Sequence, residues 1–244
     1  MECVHEIQIE VKNYEIDINE ELKLNSIFNY FQFLASEHAD LLGFGYDNLN
    51  KTNLIWILSG LKVDIKKYPK WKEILKLKTI TKGLTGIYAI RNFELYNKKN
   101  ELCVEGISSW LMIDKQSFRP ARPLRHPELD AEIFFENKNI KPLSKILLSE
   151  LKTQHSEYQF KYDDIDLNLH VNNAKYVELV INCFDLDFYK KFKITDFQIN
   201  FLHQARFNDI VKIYIEKTSD TEFKIEGLNS ETGKQVFVSD IKYQ

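Results

Sequence analysis

Apolar and polar residues change rhythm several times along this chain. From Val4 to Ile18 they alternate, the period of one or two half-buried strands whose side chains point to opposite faces in turn. From Ser26 to Leu42 the spacing lengthens: Ile27, Phe28, Phe31, Leu34, Ala35, His38 and Leu42 recur one, three and four apart. That pattern predicts a helix with a broad apolar face, ended by Gly43 and Gly45. Strand-like runs rich in β-branched and aromatic residues then occupy Leu54–Ile65, Ile74–Thr81, Ile87–Leu95 and Leu102–Ile113, separated by turn-forming stretches.

Between Asp114 and Leu151 the periodicity fails, and four of the five prolines (Pro120, Pro123, Pro127 and Pro142) fall there among charges. This is the expected connection between two domains. A second half then repeats the plan, with a short strand near Tyr158–Tyr162, a helix from about Asn172 to Phe184, and strands from Thr195 onward. Leu61–Thr79 and Phe197–Ile215 align without a gap at an offset of 136 (197 − 61), pairing Val63 with Ile199 and Ile74 with Ile210. The expectation is therefore an α+β protein in which two antiparallel sheets each curl around their own helix. The boundaries read as 1–128 for an N-terminal domain carrying the start of the connection, 129–150 for the linker, and 151–244 for a C-terminal domain.

Composition narrows the function classes. The 33 basic residues are balanced by 36 acidic ones, a formal net charge of −3, so no overall electrostatic footprint for nucleic acid exists. No apolar run reaches the roughly 18 residues that a membrane helix needs, and the first ten residues lack both the basic and the apolar region of a secretion signal. A protein of the bacterial cytoplasm, away from membranes, is expected. Cys3, Cys103 and Cys183 are odd in number and far apart, without metal-site or redox-pair spacing, and read as reduced thiols. No metal and no organic cofactor is expected.

The densest polar cluster runs Asp163-Asp-Ile-Asp-Leu-Asn-Leu-His-Val-Asn-Asn-Ala-Lys-Tyr176. Asp166, Asn168 and His170 stand at alternate positions just before the second predicted helix. In an extended stretch they would share one face, so a carboxylate, a carboxamide and an imidazole would converge. These groups can deprotonate water, orient a neighbour and donate to an oxygen. Backbone N–H groups in the first helical turn could add stabilisation for an oxyanion. Asp and Asn before a helix also serve as caps and turn formers, and a lone histidine is more often structural than catalytic, so both readings stay open at this point. The first half carries an echo, Asp17-Ile-Asn-Glu-Glu21, with Glu21 in place of the histidine, which reads as a non-catalytic copy.

Asp166-Leu-Asn-Leu-His-Val-Asn-Asn-Ala-Lys-Tyr176 resembles, at every fixed position, the Asp-x-Asn-x-His-Val-Asn-Asn-x-Lys-Tyr signature of the acyl-ACP thioesterases of plant plastids and bacteria. In the first half Tyr14–Asp17, Leu41–Gly45, Asn53–Trp56, Lys67–Trp71, Arg91–Phe93 and Ser109–Trp110 resemble that family's landmarks in the same order. The resemblance implies two tandem hot-dog domains and hydrolysis of the acyl-ACP thioester to free fatty acid and acyl carrier protein. Asp166, Asn168 and His170 would occupy catalytic positions. The family's further glutamate and the plant enzymes' cysteine correspond here to Gln204 and Ala205, which points to activated water rather than a thiol nucleophile, with Asp166 or His170 as base and Gln204 holding the water. Asn172 and Asn173 are expected at the substrate. The family's acyl chain enters the N-terminal domain, where Trp56 or Trp110 could line its path, although Trp56, Trp71, Trp110 and Phe93 read first as core residues. Acidic acyl carrier protein is the expected partner, received on basic residues: Lys67 among the lysines around Tyr68–Trp71, or Arg119, Arg122 and Arg125, with His126 beside them, in the connection. An acyl-CoA hydrolase and a catalytically weak acyl-ACP-binding protein are the alternatives, and both monomer and homodimer stay open.

Overall fold

The computed structural model describes residues 3–123 and 134–244. Two compact units divide the chain, Met1–Leu143 and Ser144–Gln244.

The first unit holds β1 (Val4–Glu10), α1 (Leu24–Leu41), α2 (Tyr46–Lys51), β2 (Leu54–Ile65), β3 (Ile74–Thr85), β4 (Tyr88–Tyr96), β5 (Leu102–Asp114) and a two-residue β6 (Pro120–Ala121). Its strands lie in the order β1-β3-β4-β5-β2, every neighbour antiparallel, with β6 added to β5 beyond the end of β4. The apolar stripe read from the sequence is what α1 buries: Ile27, Phe28, Phe31 and Leu34 are at most 1% exposed. The helix stops at Gly43, whose φ of +78° is open to glycine at little cost. Gly106 on β5 lets the Phe31 ring reach the sheet, because a Cβ there would stand 2.5 Å from that ring, and Phe31 then stacks on Phe93 at 4.4 Å. Deeper along α1, His38 is 2% exposed and its Nδ1 lies 2.8 Å from an Nη of the buried Arg91, which also donates to Thr79. Burial, with Arg91 and His5 nearby, lowers the His38 pKa to about 4, so the ring is neutral and can accept from the guanidinium.

The second unit holds β7 (Thr153–Gln159), α3 (Asn173–Ile181), α4 (Leu186–Tyr189), β8 (Ile194–Phe201), β9 (Ile210–Lys217), β10 (Glu222–Asn229) and β11 (Gln235–Tyr243), ordered β7-β9-β10-β11-β8 and again antiparallel throughout. First, third, fourth, fifth and second strand stand side by side in both units. The repeat expected at offset 136 is thus a repeat of topology, with Ile74 and Ile210 each opening a third strand. Upstream of the helices the offset is 149 instead: Val4–Glu10 corresponds to Thr153–Gln159, and a 3₁₀ turn at Asn13–Glu15 to one at Tyr162–Asp164. The difference of 13 residues (149 − 136) is taken up where α1, 18 residues long, faces an α3 of nine. Each unit is the antiparallel sheet around one main helix that the hot-dog expectation describes.

Of the one or two strands expected from Val4 to Ile18 one forms, followed by the 3₁₀ turn. Two local expectations fail. The strand expected at Tyr158–Tyr162 lies mainly earlier, ending at Gln159. Trp71, read as core, is 43% exposed on a turn, with the Lys72 ammonium 4.4 Å from its ring. Part of the proline-rich connection also packs: Phe134 joins a buried cluster with Phe44, Leu54 and Met112, and Leu84 bonds to the Phe135 carbonyl.

Candidate active site

Asp166 does not sit in an extended stretch. Its N–H donates to the His170 carbonyl at 2.8 Å, Ile165 bridges Val171, and Leu169 adopts φ of +62°, so residues 166–170 form a tight turn. Its Oδ1 accepts the backbone N–H groups of Asn168 (2.8 Å) and His170 (3.2 Å). The shared face expected from alternation is therefore corrected: a carboxylate bonding to its own downstream backbone bends the chain, and Leu167 and Leu169 end up 70% and 75% exposed. The three residues are held in one turn by their backbone bonds to Asp166.

Spare hydrogen-bonding capacity is uneven within it. Asp166 spends one oxygen on the turn. Among the described residues the Asn168 carboxamide and the His170 ring have no hydrogen-bond partner; Asn168 is exposed and His170 half-buried. Burial lowers the His170 pKa from its ordinary value, Arg206 lowers it further, and the Asp166 carboxylate opposes both. At neutral pH this imidazole is neutral and able to accept a proton.

The Val171 N–H bonds to the Ala205 carbonyl at 3.0 Å and fastens the segment after β8 beside the turn. Ala205 is buried, and the exposed Gln204 and Arg206 flank it. Ala205 N–H donates to the Tyr176 hydroxyl (3.3 Å), whose ring packs among Phe160, Phe201 and Phe237. Arg206 was not singled out in the sequence, yet its charge reaches His170; the signal was the Gln204-Ala205-Arg206 alternation around a small residue. Neither buried thiol is activated. Cys183 is buried with its pKa pushed up to about 12 by desolvation, and burial also raises Cys103.

Other expected residues have structural contacts. Asn172 caps α3 by accepting the Ala174 N–H (2.9 Å), and its carbonyl accepts the Lys175 N–H (3.0 Å). Two first-turn donors are thereby occupied, which narrows the oxyanion expectation at this helix start. Asn173 opens α3 half-buried. In the first unit, Trp56 is half-buried against Phe44 and Phe134 and donates to the Phe44 carbonyl, while Trp110 donates to Ser108 at 2.7 Å. Lys67 is paired with Glu101 at 2.8 Å, and Lys66 with Glu105 at 3.0 Å, so the charge of that lysine cluster is partly cancelled. Arg119 and Arg122 are exposed, and Arg125 and His126 lie outside the described residues.

Residues 2–126 match the family model described as "Acyl-ACP thioesterase N-terminal domain", and residues 149–244 the one described as "Acyl-ACP thioesterase C-terminal domain". The chain is similar to the chloroplastic oleoyl-acyl carrier protein thioesterase 2 of Arabidopsis thaliana, 24% identical over 91% of this chain and 66% of that protein. It is also similar to the chloroplastic palmitoyl-acyl carrier protein thioesterase of the same plant, 26% identical over 70% of this chain and 45% of that one. It thus spans less than two thirds of the length of these relatives. Among solved structures, an acyl-ACP thioesterase from Bacteroides thetaiotaomicron superposes with a TM-score of 0.88 at 25% identity, covering 99% of this chain and 98% of the other. The 12:0-ACP thioesterase from Umbellularia californica shares the fold, with a TM-score of 0.82 at 19% identity over 99% and 97% of the two chains. Among the described residues no helix is long and apolar enough to cross a membrane.

Proposed function

The chain belongs to the acyl-ACP thioesterase family, and from that premise we propose that it hydrolyses the thioester of acyl-ACP, releasing a free fatty acid and the carrier thiol, with His170 as general base. The observation that carries this reading is the His170 ring itself: half-buried, neutral at physiological pH, without a hydrogen-bond partner among the described residues, and influenced by the Asp166 carboxylate. A water held near His170 loses its proton to the ring as its oxygen attacks the thioester carbonyl. The carboxylate of Asp166 stabilises the imidazolium that forms, as well as shaping the turn. The Asn168 carboxamide supplies the donor for the developing oxyanion, since first-turn N–H groups of α3 are partly occupied. Gln204 cannot accept a proton as a base does, but its amide can hold the water. When the tetrahedral adduct collapses, the C–S bond breaks, the carbonyl re-forms and the thiolate leaves, taking up a proton.

The acyl chain then lies in the first unit, with Trp56 and Trp110 as wall residues, and Asn173 borders the thioester. Exposed Arg119 and Arg122 meet the acidic carrier; Lys67, already paired, contributes less. The protein works in the cytoplasm in fatty acid biosynthesis. The deciding assay follows free acid release from acyl-ACP across chain lengths, beside matched acyl-CoA. Turnover of acyl-ACP with a limb falling toward acid pH below the ordinary histidine value is expected; equal or faster turnover of acyl-CoA would refute the carrier assignment. Gln204 motivates a second reading, an acyl-ACP-binding protein with little turnover, which tight carrier retention without acid release would favour.

A further inference from the structure

Among the contacts that tie the two ends of the 165–171 turn together is an ion pair between a buried carboxylate and a half-buried ammonium. The Asp164 carboxylate, 5% exposed, accepts from the Lys161 N–H (2.7 Å) and the Tyr158 hydroxyl (3.0 Å), and the Lys175 ammonium stands 3.0 Å from its other oxygen. Lys175 is the third residue of α3; it also reaches Glu178 at 3.2 Å and stands 4.9 Å from the centre of the Tyr158 ring. The Asp164 carbonyl meanwhile accepts the Asn172 N–H at 2.8 Å. Asp164 thus joins the 3₁₀ turn to the start of α3 twice, by its carboxylate and by its carbonyl.

The first unit shows what the same scaffold does without a histidine to place. At offset 149 Glu15 stands for Asp164 and Ser26 for Lys175. Glu15 accepts the Lys12 N–H at 2.7 Å and the Tyr30 hydroxyl at 2.6 Å, and Ser26 bonds only to its carbonyl, at 3.2 Å. A cation crosses there too, the Lys23 ammonium donating to the Tyr14 carbonyl at 3.1 Å, but it meets no carboxylate, so the carboxylate–ammonium pair is what the second unit adds to the shared scaffold. The pair in the second unit is charged on both sides: burial alone would raise the Asp164 pKa, yet the Lys161 N–H, Lys175 and Tyr158 together hold it low, and Lys175 is shifted up against its own burial.

We propose that Lys175 and Asp164 are positioning residues that set the height of the His170 and Asn168 side chains over the thioester, by locking the catalytic turn to the first turn of α3. This rests on the hydrolase reading above. A rigid support of this kind matters because a displacement of about 1 Å at reacting groups costs roughly 100-fold in rate, and supporting contacts around a site are worth about 10–100-fold.

The test compares the wild-type chain with Lys175→Met, Lys175→Arg, Asp164→Asn and the Asp164→Asn/Lys175→Met double variant. Measurements are acyl-ACP hydrolysis against pH, thermal unfolding, and NMR titration of the His170 ring. The double variant strands no charge, and its Tm is expected to stay near wild type. Lys175→Met and the double variant are expected to lower kcat by about 10–100-fold with KM within about threefold, and to move the His170 titration, while Lys175→Arg restores most of kcat. An unchanged kcat, pH profile and His170 titration in a folded Lys175→Met or double variant overturns the proposal and leaves the pair a stabilising contact. If the wild-type chain itself does not turn over acyl-ACP, the hydrolase reading fails separately, and the His170 titration still reports whether Lys175 positions the ring.

Discussion

Two turns in this molecule share a backbone and differ in the side chain they end on. In the first unit Asp17 N–H bonds to the Glu21 carbonyl at 2.8 Å, the Asp17 carboxylate accepts the N–H groups of Asn19 (2.8 Å) and Glu21 (3.1 Å), and Glu20 takes φ of +60°. In the second unit Asp166, Asn168, His170 and Leu169 repeat each contact, with φ of +62° at Leu169. Even the long-range tie is repeated, Leu22 to the Pro69 carbonyl and Val171 to the Ala205 carbonyl, positions that are again 136 apart (205 − 69). The Asp-x-Asn frame is therefore a folding device used twice. What distinguishes the halves is the last side chain: Glu21 is 7% exposed, whereas His170 keeps an accessible ring. The frame itself is structural in both units, and what each turn presents is set by the side chain at its end.

The strongest way to break this comparison is to make the second turn a copy of the first. His170→Glu is expected to fold and to lower acyl-ACP hydrolysis by about 10²–10⁴-fold, the usual contribution of a general base; retained turnover would remove His170 from the mechanism. Next, Asp17→Ala and Asp166→Ala should each destabilise by about 1–2 kcal/mol in urea unfolding, from loss of an acceptor for two backbone N–H groups, but only Asp166→Ala should also depress kcat.

The two perturbed histidines offer a third contrast. His38, with a folded-state pKa of about 4 against 6.5 when unfolded, contributes stability that is fully present above pH 6.5 and is lost as pH falls from there toward 4. Urea unfolding at pH 7.5 and pH 5 should show a loss on the order of 1–2 kcal/mol that His38→Gln largely removes. His170 is lowered in the same direction, so the acid limb of the rate profile should lie below the ordinary histidine value. The smallest expected effect is at Gln204: Gln204→Glu, which adds a carboxylate near the turn, should raise turnover by a few-fold, about 1 kcal/mol or less in barrier, measured as kcat on acyl-ACP. A fall in kcat would mean that the amide's donor is needed.

The helix of the first unit was legible from residue spacing, because one face of a helix must be apolar to be buried, and β2 (Leu54–Ile65) was delimited correctly by its β-branched run and its flanking turns. The cluster at Asp166–His170 stood out in the sequence by its polar residues, and its geometry was misread. Leu167 and Leu169 alternate with polar residues just as a half-buried strand does, but neither is buried, and periodicity alone does not distinguish a strand from an Asp-centred turn. Trp71 misled for a related reason: an indole usually marks a core, yet this one lies on an exposed turn under a lysine.

By itself the sequence determined the main helix and the strands of the first unit, the repeated plan and the family signature, because apolar period, caps and turn residues act over a few neighbouring positions. Only the tertiary structure decided that the segment around Ala205 is fastened beside the 166–170 turn with the Arg206 charge acting on His170, that Asn172 is occupied in capping α3, and that Lys175 holds Asp164 across that turn. Those juxtapositions depend on pairing between distant segments and on which polar groups remain unsatisfied after the backbone has taken its share, and no local pattern records either.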